Sequence, residues 1–281
     1  MRKIRVHWTL HPEKDDAWYE QQQKRMTPDE VARELDINYA LSMSGKVFSA
    51  FRAHRHVSAV PIPLDRRLPV YRVFDFGKRN NATLYAQIDE AGRLRVLHER
   101  VLGDELDGSI CDSSIDEQIE VAMADSARYF EDCEFVDICD PAGAYKSHNA
   151  GPDIDALYNV FGQWPRYEAI RQMPTIKRKQ AGITLVDQAL QKSPGGDEGF
   201  LMFVSPDGSH GCPVLLKAFQ GGYRYKRDIN GNVLSQIHEV HPYEDVMDCL
   251  FYLLIEAGGG LSGMDPQAFR PRENRFDVVG Y

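Results

Sequence analysis

From Leu68 to Val101 the chain carries three apolar, strand-like runs, Tyr71–Phe76, Thr83–Asp89 and Arg93–Val101. The links between them, Lys78-Arg-Asn-Asn81 and Glu90-Ala-Gly92, are short and polar. Links of that length close hairpins and cannot carry a crossover, so the runs are expected to form an antiparallel meander. The first run delivers Asp75 to its end and then turns on Gly77.

The segments after the meander narrow the architecture. Ser114-Ile-Asp-Glu117 resembles a capping box, and Ile115, Ile119, Ala122 and Met123 continue an apolar helical face to about Phe130. Next come a strand ending at Asp140, a helix from about Asp153 to Phe161 and a short strand near Tyr167 to Arg171. A helix over Ile183 to Gln191 and a buried strand over Gly199 to Val204 complete the series. Three antiparallel strands, helix, strand, helix, strand is the order of the ribonuclease H-like fold, an α/β mixed sheet with helices on both faces. The active site of that fold lies where the first and fourth strands end, and Asp75 and Asp140 fall there.

Residues 1–63 differ in character and are expected as a lead-in segment, with 64–281 as the main domain. The lead-in holds a polar helix over Asp15 to Arg25 anchored by Trp18, then a helix start at Thr27-Pro-Asp-Glu30. Pro61-Ile-Pro63 marks the boundary. Near the other end, Gly222 to Asp228 and Asn232 to His238 flank Ile229-Asn-Gly231, a strong hairpin signal. A last helix is expected over Tyr243 to Glu256, before Gly258-Gly-Gly260.

Composition excludes little. Apolar content of 43% and charged content of 27% are ordinary for a globular protein. No run approaches the roughly 20 apolar residues that span a bilayer, and the basic N-terminus is not a secretory signal, so a cytoplasmic location is expected. The five cysteines include no C-x-x-C pair, and His238 with His241 lacks further ligands at familiar spacing, so neither disulfides nor zinc are indicated. A net charge of −9 does not advertise nucleic-acid binding, but phosphate contact needs only a local basic surface.

Carboxylates carry the chemistry. Hard cations such as Mg²⁺ take carboxylate oxygens and keep waters, and two ions roughly 4 Å apart can serve both oxygens of an in-line displacement. Asp75 and Asp140 each have a plainer reading, as a strand-end turn residue and a loop start. Asp248 is more informative, because it interrupts an apolar helix of Val246, Met247, Leu250, Leu253 and Leu254. An ionised Asp there calls for a cation or a hydrogen-bonding network. Asp245 shares its helical face and either joins the site or, with Glu244, favours the helix N-terminus electrostatically.

At these residues the chain resembles the nuclease end of the large terminase subunit of tailed bacteriophages. The resemblance rests on Trp8-Thr-Leu-His-Pro12 with Trp18-Tyr19, Glu34-Leu-Asp-Ile-Asn-Tyr39, Ser44-Gly45 with Val47-Phe48, Phe74-Asp-Phe-Gly77, Cys139-Asp-Pro-Ala-Gly143, Gly221-Gly-Tyr-Arg-Tyr225 and Asp248-Cys-Leu-Phe-Tyr252. It implies a DNA endonuclease that uses two Mg²⁺ or Mn²⁺ ions held by Asp75, Asp140 and Asp248; Asp245 is a candidate further metal contact from its helical face alone. It also implies work in the cytoplasm of a bacterial host on double-stranded DNA, with a packaging ATPase, a portal and a small terminase subunit as partners. The family's last motif often has Ser-His where this chain has Glu244-Asp245. The family's full-length protein begins with an ATPase, whereas this sequence has no G-x-x-x-x-G-K-[ST], so it is expected not to hydrolyse ATP.

DNA contacts are expected from Lys78 and Arg79, which leave the first strand, and from Arg224, Lys226 and Arg227, which sit on the hairpin with Tyr223 and Tyr225. The plainer reading of the hairpin set is solvated charge. Lys177-Arg-Lys179 is expected as an exposed turn before a helix. Two rival functions stay open: another ribonuclease H-like nuclease, such as a resolvase or transposase core, and a non-catalytic docking module for a packaging motor.

Overall fold

A computed structural model describes residues 11, 14–25, 45–77, 81–102, 114–144, 152–227, 233–238 and 240–257. The meander forms as expected. Strands β1 (Val57–Ser58), β2 (Val70–Asp75), β3 (Ala82–Ile88) and β4 (Leu94–Val101) come first, and β2, β3 and β4 pair antiparallel in sequence. β5 (Phe135–Cys139) then lies parallel to β2, and β6 (Phe200–Phe203) lies parallel to both β4 and β1. The resulting six-stranded mixed sheet runs β1-β6-β4-β3-β2-β5.

Every residue of β3 is buried, so both faces of the sheet must be covered. Alternation along β2 divides the work. Tyr71 and Val73 face a core completed by two helices, one over Thr175–Gln191 and one over Tyr243–Glu256, through Val186, Leu190, Leu250 and Leu254. Phe74 faces the opposite side, where Ile119, Ala122 and Leu157 pack from helices over Ile115–Tyr129 and Asp153–Phe161. Each large side chain buried in this way contributes about 1.5–3 kcal/mol. In chain order the helices are α1 (Asp16–Arg25), α2 (Ala53–His56), α3 (Ile115–Tyr129), α4 (Asp153–Phe161), α5 (Glu168–Arg171), α6 (Thr175–Gln191), α7 (Pro213–Lys217) and α8 (Tyr243–Glu256).

Local signals explain several boundaries. Ser114 caps α3, its Oγ accepting from the Glu117 N–H at 3.1 Å. Asp15 caps α1 in the same manner through the Trp18 N–H at 2.8 Å. The second lead-in helix expected from Thr27 lies outside the described residues. Part of the lead-in is built into the main core: Phe48 is buried against Phe219, Tyr223 and Phe251, and β1 extends the sheet. The C-terminal hairpin pairs β7 (Arg224–Arg227) with β8 (Val233–His238), and Lys46 bridges to Arg224 beside it. No helix among the described residues is long and apolar enough to cross a membrane.

Two expectations are corrected. The stretch near Tyr167 to Arg171 is not a strand, since only Arg166 bridges to Ile138 before the chain turns into α5. The Glu256 carboxylate accepts the Ile170 N–H at 3.0 Å, supplying the partner that a strand ladder would otherwise give. Helix α6 begins at Thr175 rather than Ile183, so Lys177, Arg178 and Lys179 belong to its first turns and do not form a separate turn.

Candidate metal centre

Asp75 is the last residue of β2, and Asp140 follows the last residue of β5. The parallel register pairs Phe74 with Cys139, which places the two aspartates side by side at one end of the sheet. The Asp140 N–H donates to the Phe74 carbonyl at 3.1 Å, tying the two strand ends together. Beyond Asp140 the chain winds into a short 3-10 turn over Pro141–Ala144, and Asp140 Oδ1 accepts the Ala142 N–H at 3.1 Å. Gly143 is required in that turn: a Cβ there would lie 2.3 Å from Cε2 of Phe76. On the other side the buried Gln118 of α3 donates to the carbonyls of Asp75 (3.3 Å) and Ala82 (2.9 Å), pinning the ends of β2 and β3.

Helix α8 supplies the remaining acids. Nearly all of its apolar residues are buried, and Asp245 is only 5% exposed. Glu244, Asp245 and Asp248 therefore enter the sheet end with the helix. Burial raises the Asp75 carboxyl well above its ordinary range, and the charges of Asp248, Asp245, Asp140 and Glu244 raise it further. Asp248 is pushed up to about 8, chiefly by burial, with Lys179 opposing and Glu244, Asp245 and Asp140 adding. Burial also raises Asp140, against the Ala142 N–H and the positive charge of Arg178. The Tyr252 phenol, one turn beyond Asp248, is raised by burial and then by Asp75, Asp248 and Asp140. These groups form one electrostatic unit.

The donor set suits a hard divalent cation. Its atoms are carboxylate oxygens, and Asp248 Oδ1 is buried with no hydrogen-bond partner. A buried acceptor in that condition is costly unless a proton or cation satisfies it. Among the described residues, no three His, Cys, Asp or Glu side chains are gathered closely enough to hold an ion as they stand. The acids are near enough to repel one another. Asp245 is already engaged, with both of its oxygens 2.9 Å from His241 Nδ1. Glu244 is engaged too, accepting from Lys179 Nζ.

The structure thus sets Asp75 and Asp140 side by side, with Asp245 and Asp248 of α8 within electrostatic reach of them. Lys78 and Arg79 lie outside the described residues. Arg224 is exposed and Lys226 half-buried on β7, and Arg227 belongs to the same strand. Tyr223 is not a surface aromatic beside these cations: it is 2% exposed and packs on Phe48 and Phe251. Sequence reasoning missed Lys179, Arg178, Gln118, His241 and Tyr252 as neighbours of the acids. The basic run at 177–179 was a visible signal, but its place became clear only once α6 was seen to start before it.

No protein-family model matches this chain, and no curated protein matches it. Solved structures do. The large terminase of a thermophilic bacteriophage, in complex with ATP-gamma-S, superposes with a TM-score of 0.50 at 16% identity, over 89% of this chain and 54% of that one. The nuclease domain of the bacteriophage SPP1 large terminase with bound Mn gives 0.40 at 13% identity, over 71% of this chain and 95% of that one. The large terminase nuclease of thermophilic phage G20c with bound magnesium gives 0.43 at 13% identity, over 74% and 96%. This chain spans about half the length of the first of these proteins. In fold, it is a ribonuclease H-like α/β protein with the architecture found in phage large terminases.

Proposed function

We propose that this chain is the nuclease portion of a phage-type large terminase, a metal-dependent endonuclease that cuts double-stranded concatemeric DNA during genome packaging. The observation that carries the reading is the parallel pairing of β2 with β5, which sets Asp75 beside Asp140, together with an orphaned buried Asp248 oxygen in the same electrostatic cluster. Acids that depress one another's ionisation at one sheet end have a use when cations are to be held there. Mg²⁺ or Mn²⁺, bound as a pair, would supply an activated water and stabilise charge on the leaving oxygen. Asp75 and Asp140 would hold from the sheet and Asp248 from α8, while Asp245 would join with His241 as its outer hydrogen-bond partner. Gln118 and the Ala142 N–H keep the two strand ends in place for that task. The ATPase of a packaging motor, a portal and a small terminase subunit are the partners this reading implies.

The test is nicking and linearisation of supercoiled plasmid in Mg²⁺, Mn²⁺ and EDTA. We expect cutting in one or both metals, none in EDTA, and a loss of at least about 100-fold in Asp75→Asn and Asp248→Asn, the scale seen when transition-state charge stabilisation is removed. A folded Asp75→Asn variant that cuts as fast as wild type would remove the assignment. Preference for four-way junctions over plain duplex would move it to a resolvase-like enzyme.

A further inference from the structure

Arg178 stands beside the acid cluster and is not consumed by it. Its Nε donates to the Met173 carbonyl at 2.8 Å, which fixes the side chain at the start of α6. Among the described residues its two terminal guanidinium nitrogens have no hydrogen-bond partner. Arg72, Arg100 and Arg55 instead turn their Nε and Nη2 edge to the carboxylates of Asp137, Asp125 and Glu198. Arg178 is half-buried, and α5, which ends two residues before Met173, packs on the 3-10 turn that follows Asp140. The next residue, Lys179, is bonded to Glu244 at the start of α8, so this turn of α6 is held against the site. Gly182 makes that approach possible, because a Cβ there would lie 2.3 Å from Cγ of Phe251 on α8.

A guanidinium anchored through Nε, with its two terminal nitrogens unspent and one residue from the lysine that grips Glu244, suits a phosphate group held at carboxylate-bound cations. We propose that Arg178 grips a non-bridging oxygen pair of the DNA phosphodiester beside Asp140, as a phosphate-positioning residue. This rests on the nuclease reading above. Lys179 has a different part, since its ammonium is engaged by Glu244 and braces α6 on α8.

The test uses the full chain and a short fluorescent duplex in Ca²⁺, comparing wild type with Arg178→Gln and Arg178→Lys by anisotropy over a range of salt. Mn²⁺ uptake without DNA is measured alongside by calorimetry. For Arg178→Gln we expect roughly 10-fold weaker duplex binding and a salt slope shallower by about 0.9, the signature of one lost phosphate contact. Mn²⁺ affinity should stay within about twofold. Arg178→Lys should restore the slope but only part of the affinity, because a point charge replaces a fork. If Arg178→Gln folds poorly, the lysine variant decides: binding equal to wild type overturns the proposal. Wild-type slope and affinity in a folded Arg178→Gln overturn it as well and leave the nuclease reading intact. Failure of the wild type to take up Mn²⁺ at all would overturn both.

Discussion

Asp248 shows how one residue can link stability to function. Its carboxyl is raised to about 8 in the fold from an ordinary value of 3.8. An acid whose pKa rises on folding binds more protons in the native state, so stability is fully present at low pH and is lost as pH climbs toward 8. Metal-free protein should therefore lose stability between about pH 5 and 8, and Asp248→Asn should lose on the order of 3 kcal/mol less across that window. Urea denaturation in EDTA at several pH values measures this, and parallel pH curves for the two proteins would refute it. Arg72 poses the opposite case. It is 2% exposed, forms a two-pronged pair with Asp137 at 2.7 and 3.1 Å, and lies 3.5 Å over the Phe161 ring. Arg72→Met should cost about 3–5 kcal/mol by leaving the buried Asp137 charge without its cation and with the Gln163 amide as donor, and Arg72→Met with Asp137→Leu should recover part of the loss. Chemical denaturation of single and double variants decides it; a double variant no better than the single would show that the pair is not the source. The sequence displayed Arg72 only as a charged residue inside an apolar strand. Its partner is 65 residues away and could not be read from local pattern.

At the scale of elements, α6 is where local signals and tertiary packing diverged most. Lys177-Arg-Lys179 reads as a turn because a polar run weakens the helical pattern, and Gly182 after it is a poor helix former. The structure explains the glycine by the contact with Phe251, a residue 69 positions later. Gly182→Ala should raise intrinsic helix propensity yet destabilise the protein by about 1–3 kcal/mol through overpacking. It should also slow plasmid cutting, because α6 carries Arg178 and Lys179. Thermal melts and the cutting assay test both halves, and a variant more stable than wild type would show that α6 and α8 tolerate separation. By contrast α3 and α8 were legible in the sequence nearly to the residue. Ser114 announces α3 through its own cap, and the apolar periodicity of α8 is uninterrupted except by its acids.

For the whole molecule, the proposed nuclease reading makes ion binding at the acid cluster a folding event. A ligand that binds only the native state stabilises it by mass action, about 2.7 kcal/mol at 100 times Kd. Mn²⁺ at that level should raise the Tm by roughly 5–10 °C near pH 8 for a chain of this size. Near pH 5, where protons hold the raised carboxylates, the shift should be much smaller. Asp75→Asn should abolish it, and scanning calorimetry that finds the same Mn²⁺ shift in this variant would place the ion elsewhere. The meander, the helix and strand that follow it and the strand-end positions of Asp75 and Asp140 were determined by the sequence alone, because link length and two-residue alternation act over neighbouring residues. Only tertiary structure decided that β5 pairs parallel to β2 in the register that sets the two aspartates abreast. It alone lodged Tyr223 in the core, engaged Asp245 with His241, and brought Arg178 and Lys179 to the acids. These depend on close packing between segments far apart in the chain, and no local pattern specifies which side chains meet there.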